Sequence, residues 1–269
     1  MSHFTVGVIH RADQSVEELL APYNENLCVD TYIRRTKEEL IAEGYQRADE
    51  IRYLIKHGDG DEIVTSWGDD FINAFTDEEM YWATCHWHGL DDRDLDEEGN
   101  WLSTYNPKSK WDWYSIGGRW SGMLKIPRSK VSEETLKFMK NNEQFWHTDE
   151  ALIGDLDFSI DMEEYQEFYD WWMENIVNTP DEEWSHIWKK SYYTDNYKNA
   201  EDYAKRNCAF STFAVVTPDG EWHERGEMGW FGCSYETPKE GADWDENYFE
   251  HFISHTNPDY IFTLVDCHI

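Results

Sequence analysis

Basic residues are scarce in this chain. Against 56 Asp and Glu stand 23 Lys and Arg, a formal net charge of −33 over 269 residues. That excess disfavours general binding to nucleic-acid backbones and to anionic membranes, both of which recruit cations. No apolar run approaches membrane-spanning length, and Met1-Ser-His-Phe-Thr-Val6 lacks the basic and apolar regions of a secretion signal. Cysteines are few: Cys28, Cys85, Cys208, Cys233 and Cys267 are odd in number, widely spaced and without any CxxC pair. They read as reduced thiols of a cytoplasmic protein, not as a disulfide frame or a zinc ribbon. P-loop, HExxH, GxSxG and EF-hand patterns are also missing, so the sequence indicates no cofactor.

Aromatic residues, by contrast, are abundant. They make up 16% of the chain and include 15 Trp, too many for a disordered acidic protein, so the charge must sit on a folded scaffold. Two uses of that charge stay open: simple solubility, or imitation of a nucleic acid's charge towards a basic partner.

The pattern along the chain predicts an α+β protein. Phe4 to Ile9 alternates with β-branched residues as a strand does. Thr36-Lys-Glu-Glu39 and Thr76-Asp-Glu-Glu79 are capping boxes, opening helices to about His57 (with Gly58 beyond) and to about Gly89. Gly118 to Ile126 reads as a second strand closed by Pro127. From Val131 to Asn207 the spacing turns helical: Ser132, Thr179-Pro180 and Asn199 start helices, and Met162 to Ile176 carries aromatics at helical intervals. A hairpin follows, Phe210 to Thr217 and Glu221 to Arg225 about the turn Pro218-Asp219-Gly220. A helix over Trp244 to His255 and a strand over Ile261 to Val265 close the chain. With the middle block set aside, the order is that of a ferredoxin-like βαββαβ core, whose first and last strands pair at the sheet's centre. The expected organisation is one elaborated domain over 1–269. Its core would be about 1–130 and 208–269, with a helical insertion over about 131–207, aromatic from 143 onward.

Tyr105-Asn-Pro-Lys-Ser-Lys-Trp-Asp-Trp-Tyr-Ser-Ile-Gly-Gly-Arg-Trp120 departs most from the rest. Between Lys108 and Lys140 stand eight Lys/Arg against three Asp/Glu, a balance of +5, which leaves −38 to the remainder. Arg119 can fork two hydrogen bonds to a phosphate or carboxylate, and Lys108 and Lys110 add point charges. Trp111, Trp113, Tyr114 and Trp120 offer ring faces for stacking, and Gly117-Gly118 would admit a ligand close to the backbone. The plainer alternative makes the indoles core and the glycines a turn.

Three further groups stand out. Trp222-His-Glu-Arg-Gly-Glu-Met-Gly-Trp230 has the glycines of a loop at a site's rim, where His223, Glu224, Arg225 and Glu227 could act as acid, base or anion clamp. Asp266 and His268 share one face of the last strand, where a carboxylate beside an imidazole can orient a base. Cys85 and His88 are spaced to share a metal ion on a helix, but no second ligand pair is spaced to complete a site, so no metal is expected.

Six blocks together resemble a family of uncharacterised proteins encoded by bacteriophages and prophages. They are His3 to Val6, Leu20 to Asn26, Thr36 to Ile41, Tyr105 to Gly122 with its YNPKSKWDWYxxGGRW motif, Glu224 to Trp230, and the terminal Val265-Asp-Cys-His-Ile269. The resemblance covers about a third of the chain, spread from end to end, and omits the aromatic stretch from about Glu143 to Asn207. It implies a viral accessory protein in the host cytoplasm and no particular mechanism.

The leading expectation is therefore a phage-encoded accessory or anti-defence protein that binds and sequesters a nucleotide-like or other anionic small molecule. Its ligand-binding set would be Lys108, Lys110, Trp111, Trp113, Tyr114, Gly117, Gly118, Arg119, Trp120, Arg225 and Trp230, lining one cavity. Two alternatives stay open. One is an acidic inhibitor that engages a basic host defence protein as a nucleic-acid mimic. The other is a hydrolase or transferase on a phosphorylated ligand, with His223, Glu227, Asp266 and His268 as catalytic candidates.

Overall fold

A computed structural model describes residues 2–57, 69–227 and 234–269. Trp230, Gly58 and Cys233 lie outside them. The strands are β1 (His3–His10), β2 (Tyr32–Arg35), β3 (Trp101–Ser103), β4 (Trp113–Ile116), β5 (Leu124–Pro127), β6 (Phe145–Thr148), β7 (Glu150–Leu152), β8 (Ala214–Val216), β9 (Trp222–Glu224) and β10 (Ile261–His268). The protein is mixed α+β, and the chain divides into two compact units, Met1–Leu27 with Lys108–Ile269, and Cys28–Pro107.

In the unit Cys28–Pro107, β2 and β3 pair antiparallel beside a long helix, Lys37–His57, and a shorter one, Asp77–Trp87. Both capping boxes form: Thr36 and Glu39 exchange side-chain and backbone bonds, as do Thr76 and Glu79. Ala48, Ile51, Phe71, Ala74, Met80 and Ala83 make a small core of their own. Cys85 is buried, and Nε2 of His88 lies 3.0 Å from Glu43 Oε1.

The other unit is organised by a sheet of order β4-β10-β1-β8-β9, with β7 also pairing β10. The first and last strands pair antiparallel at its centre, His3 opposite His268. Both faces of this pair are covered, so its apolar residues divide by parity. Phe4, Val6, Val8, Val265 and Cys267 pack with Leu19, Leu20, Tyr23 and Trp111 on one face. Ile9, Phe262 and Leu264 pack with Tyr248, Phe252 and Ile253 on the other, where the helix Pro238–Phe249 lies. Burying each such side chain contributes about 1.5–3 kcal/mol.

The order departs from a ferredoxin-like sheet. There the second hairpin strand would lie antiparallel beside β1, splitting β1 from the first; here the first hairpin strand, β8, lies parallel beside β1. The stretch expected as one strand over Gly118 to Ile126 is a tight turn, Gly118–Trp120, followed by the shorter strand β5, with β4 ending just before the turn. Nor is 131–207 purely helical. It contains β6, which pairs β5, and β7, which pairs β10 in the main sheet. Helices Met162–Trp172 and Ala200–Cys208 do form there, the second capped by Asn199, around Trp172, Ile176, Ala200 and Tyr203. The last helix begins earlier than expected, at the capping box of Thr237 with Pro238 in its first turn. Cys28, Cys85, Cys208 and Cys267 form no disulfide. Among the described residues no helix is long and apolar enough to cross a membrane.

Candidate functional site

The strand register assembles one polar group at the end of the main sheet. On β10, Asp266 and His268 continue the row of Phe262 and Leu264, so they face the same side as that core. Antiparallel pairing sets Trp113 opposite His268 and Ser115 opposite Asp266 on one flank, and His3 opposite His268 on the other. The polar pair thus interrupts an apolar central strand where three strand ends meet.

Each imidazole there has its own carboxylate. Nδ1 of His3 donates to Oδ1 of Asp266 at 2.7 Å, and Nδ1 of His268 donates to Oδ1 of Asp112 at 2.7 Å. An ionised carboxylate only accepts, so Nδ1 carries the proton in both rings and the neutral form leaves a lone pair on Nε2. The second oxygen of Asp266 accepts the backbone N–H of Arg119 at 3.0 Å. The ring centroids of His3 and His268 lie 5.1 Å apart at 78°. His268 is 7% exposed, and its Nε2 is sealed from solvent without a hydrogen-bond partner. A buried polar atom left unsatisfied costs about 1–3 kcal/mol, a reason to look for what completes it. Trp113 stacks on His268 at 5.1 Å and 15°, yet remains 45% exposed.

Gly117 and Gly118 hold this arrangement together, though not by admitting a ligand. Their φ values are +67° and +51°. A Cβ on Gly117 would fall 2.3 Å from Asp149 Oδ2, and one on Gly118 would fall 2.4 Å from Asp266. The close approach is therefore by the protein's own carboxylates. Asp149 in turn accepts from the Ser121 hydroxyl and from Gly122 N–H. The turn is built to present Arg119, whose backbone is anchored on Asp266. Among the described residues none forms an ion pair or hydrogen bond with its exposed guanidinium.

The other expected ligand-binding residues that are described lie elsewhere, so among the described residues the expected single cavity does not form. Trp111 is 6% exposed in the core of the opposite face and donates Nε1–H to Leu20 O. Tyr114 packs against the same core, and both line a small cavity of about 340 Å³ with Glu17, Asn24 and Asn26. Trp120 packs into the core beside Leu124. Lys108 is exposed. Lys110 is neutralised by Glu224 at 2.7 Å, a contact that does join the two expected segments.

His223 leans on Phe252. Arg225 pairs with Glu236 at 3.2 Å and Asp245 at 2.7 Å, and Glu227 is exposed. Glu224, Arg225, Glu227, Glu236, Glu240, Asp243 and Trp244 belong to an open cleft of about 840 Å³. β1 and β8 separate this cleft from Asp266. Burial raises the Asp245 carboxyl above its ordinary value, a shift that Arg225 and Arg206 oppose. Such an acidic cleft repels anions.

Sequence reasoning therefore picked out Trp113, Gly117, Gly118, Arg119, Asp266 and His268, which the fold brings together. It passed over His3, Asp112 and Asp149. A signal for His3 existed: if the first and last strands pair end to end, a histidine opening one meets a histidine closing the other. Among the described residues no group of three or more His, Cys, Asp and Glu side chains is arranged to hold a metal ion. Comparison with protein-family models, curated proteins and solved structures finds no match.

Proposed function

We propose that the protein binds and sequesters an anionic, ring-bearing small molecule of nucleotide type at the site formed by Trp113, Arg119, His3 and His268. The observation that carries this reading is the pairing of an exposed indole with an unneutralised guanidinium on one short segment. Trp113 is held from behind by His268, which leaves its outer face for a base; stacking of that kind contributes about 1–3 kcal/mol. Arg119 is the complementary group for a phosphate. The resemblance to phage and prophage proteins supports an accessory role in an infected cell, such as withholding a host defence signal.

Native mass spectrometry of the chain mixed with a metabolite extract of infected cells tests the reading. A retained phosphate-bearing compound, lost in Arg119→Ala while the fold persists, supports it. Equal retention by wild type and Arg119→Ala removes Arg119 from the site.

A second reading has its own support. Five carboxylates line the 840 Å³ cleft beside Arg225 and Trp244, a surface suited to a basic segment of a host protein. Partner binding there would weaken steeply with salt and with charge reversal at Glu227 and Glu240, and would not respond to Arg119→Ala.

A further inference from the structure

We propose that the outer edge of β4 takes an extended segment of a basic partner protein as an added strand, with a lysine or arginine of that segment seated in the pocket beside Tyr114. The inference does not rest on the small-molecule reading above.

The edge is open by construction. β4 ends the sheet order and pairs with β10 alone. Ser115 lies opposite Asp266, and Gly117 N–H donates to Leu264 O at 2.8 Å, which fixes the phase of the ladder. Ser115 therefore turns its backbone groups to β10, while Tyr114 and Ile116 turn theirs away. Among the described residues none bonds to these outward groups. Ile116 is 52% exposed, so that flank is uncovered.

The chain itself pairs along the same side just before β4. Asn24 and Trp111 form a parallel bridge, in which Lys110 N–H donates to Tyr23 O at 2.7 Å and Glu25 N–H to Trp111 O at 2.8 Å. That cover stops at Trp111, and the open groups begin at Tyr114. Where it stops lies the cavity of about 340 Å³, walled by Ala21, Leu27, Trp111 and Tyr114, with Glu17 and Asn26 as polar points. The rings of Trp111 and Tyr114 stand at 88°, their centroids 5.1 Å apart. Burial, and after it the Glu17 charge, raise the Tyr114 hydroxyl above its ordinary value, so the carboxylate acts within this pocket.

Apolar walls with one carboxylate fit a side chain that has an aliphatic stem and a cationic end. A strand laid along β4 would run about 4.8 Å from it and set every second side chain on the Tyr114 face, where the pocket lies. Backbone bonds then supply attachment, and the pocket supplies selection. A net charge of −33 favours a basic partner over a second copy of the chain. The copy's own β4, Trp113 to Ile116, carries no cation to meet Glu17.

Selection of a displayed library of random heptapeptides on the full chain tests this, followed by amide hydrogen exchange with the enriched peptide. Enriched sequences should share Lys or Arg at one position. The bound peptide should slow exchange at the Tyr114 and Ile116 amides by about 10-fold or more. Glu17→Gln should weaken binding by about 10-fold. Ile116→Pro removes an outward N–H and none that bonds β10, and it should abolish binding. If Ile116→Pro fails to fold, Glu17→Gln and the exchange rates decide. Failure to enrich any peptide overturns the proposal. So does an enriched peptide that leaves exchange at Tyr114 and Ile116 unchanged, or one that binds Glu17→Gln as tightly as wild type. Exchange at those amides that slows with protein concentration alone would give the edge to a second copy instead.

Discussion

Nδ1 of His3 and Oδ1 of Asp266 lie 2.7 Å apart, joining residues 263 positions distant through the central strand pair. Asp266 is 2% exposed and serves two donors, His3 and the Arg119 backbone. Removing it strands both. Asp266→Ala should lower stability by about 3 kcal/mol, measured by urea denaturation. A loss below about 1 kcal/mol would mean that the carboxylate is not the hub of this group.

Gly118 and Gly220 both have positive φ, +51° and +86°, but differ in surroundings. An added Cβ at Gly220 meets nothing within 4 Å, whereas at Gly118 it strikes Asp266. Gly220→Ala should cost about 1–2 kcal/mol, the conformational penalty alone. Gly118→Ala should cost at least about 3 kcal/mol, because collision adds to strain. Equal losses would show that the turn relaxes away from the carboxylate.

Trp111 and Trp113 are two residues apart and play opposite parts. Trp111→Ala should destabilise by about 3–5 kcal/mol, the loss of a buried indole. Trp113→Ala should change stability by about 1 kcal/mol or less and abolish ligand retention. Calorimetry with native mass spectrometry separates the two effects. Loss of stability without loss of retention in Trp113→Ala would assign that ring to packing.

Asp245 gives a pH dependence of definite sign. Burial raises its carboxyl above the ordinary aspartate value despite Arg225 and Arg206. The native state therefore holds the Asp245 proton more tightly than the unfolded chain does. The stability this confers is fully present below the unfolded value and lost as pH rises through the raised one. Relative to wild type, Asp245→Asn should become more stable as pH climbs from 4 to 7 in denaturation series. The opposite trend would mean that the two arginines, not burial, govern the group.

Much of the fold was legible because its signals are local. The capping residues Thr36, Thr76 and Asn199, the hairpin turn at Pro218-Asp219-Gly220, and the alternation of the first and last strands each follow from short-range chemistry. The failures were of pairing. Nothing near Ala214 says that β8 lies parallel beside β1, and nothing near Glu150 says that β7 joins β10. At the site, Asp266 and His268 were conspicuous as polar residues in an apolar strand, but their partners were not. His3 and Asp112 lie 263 and 156 positions from the residues they bond, so only the strand register reveals them. Gly117-Gly118 was read as room for a ligand to approach the backbone; what approaches is Asp149 and Asp266, whose distance in sequence hid them.

Nitrogen-resolved NMR of the histidine and tryptophan side chains, during titration with a mixture of nucleoside monophosphates and cyclic dinucleotides, probes the site most directly. The imidazoles of His3 and His268 and the indole of Trp113 should shift together and saturate, and Arg119→Ala should abolish the response. Silence at those three rings, with changes confined to Trp244 in the acidic cleft, would contradict the account.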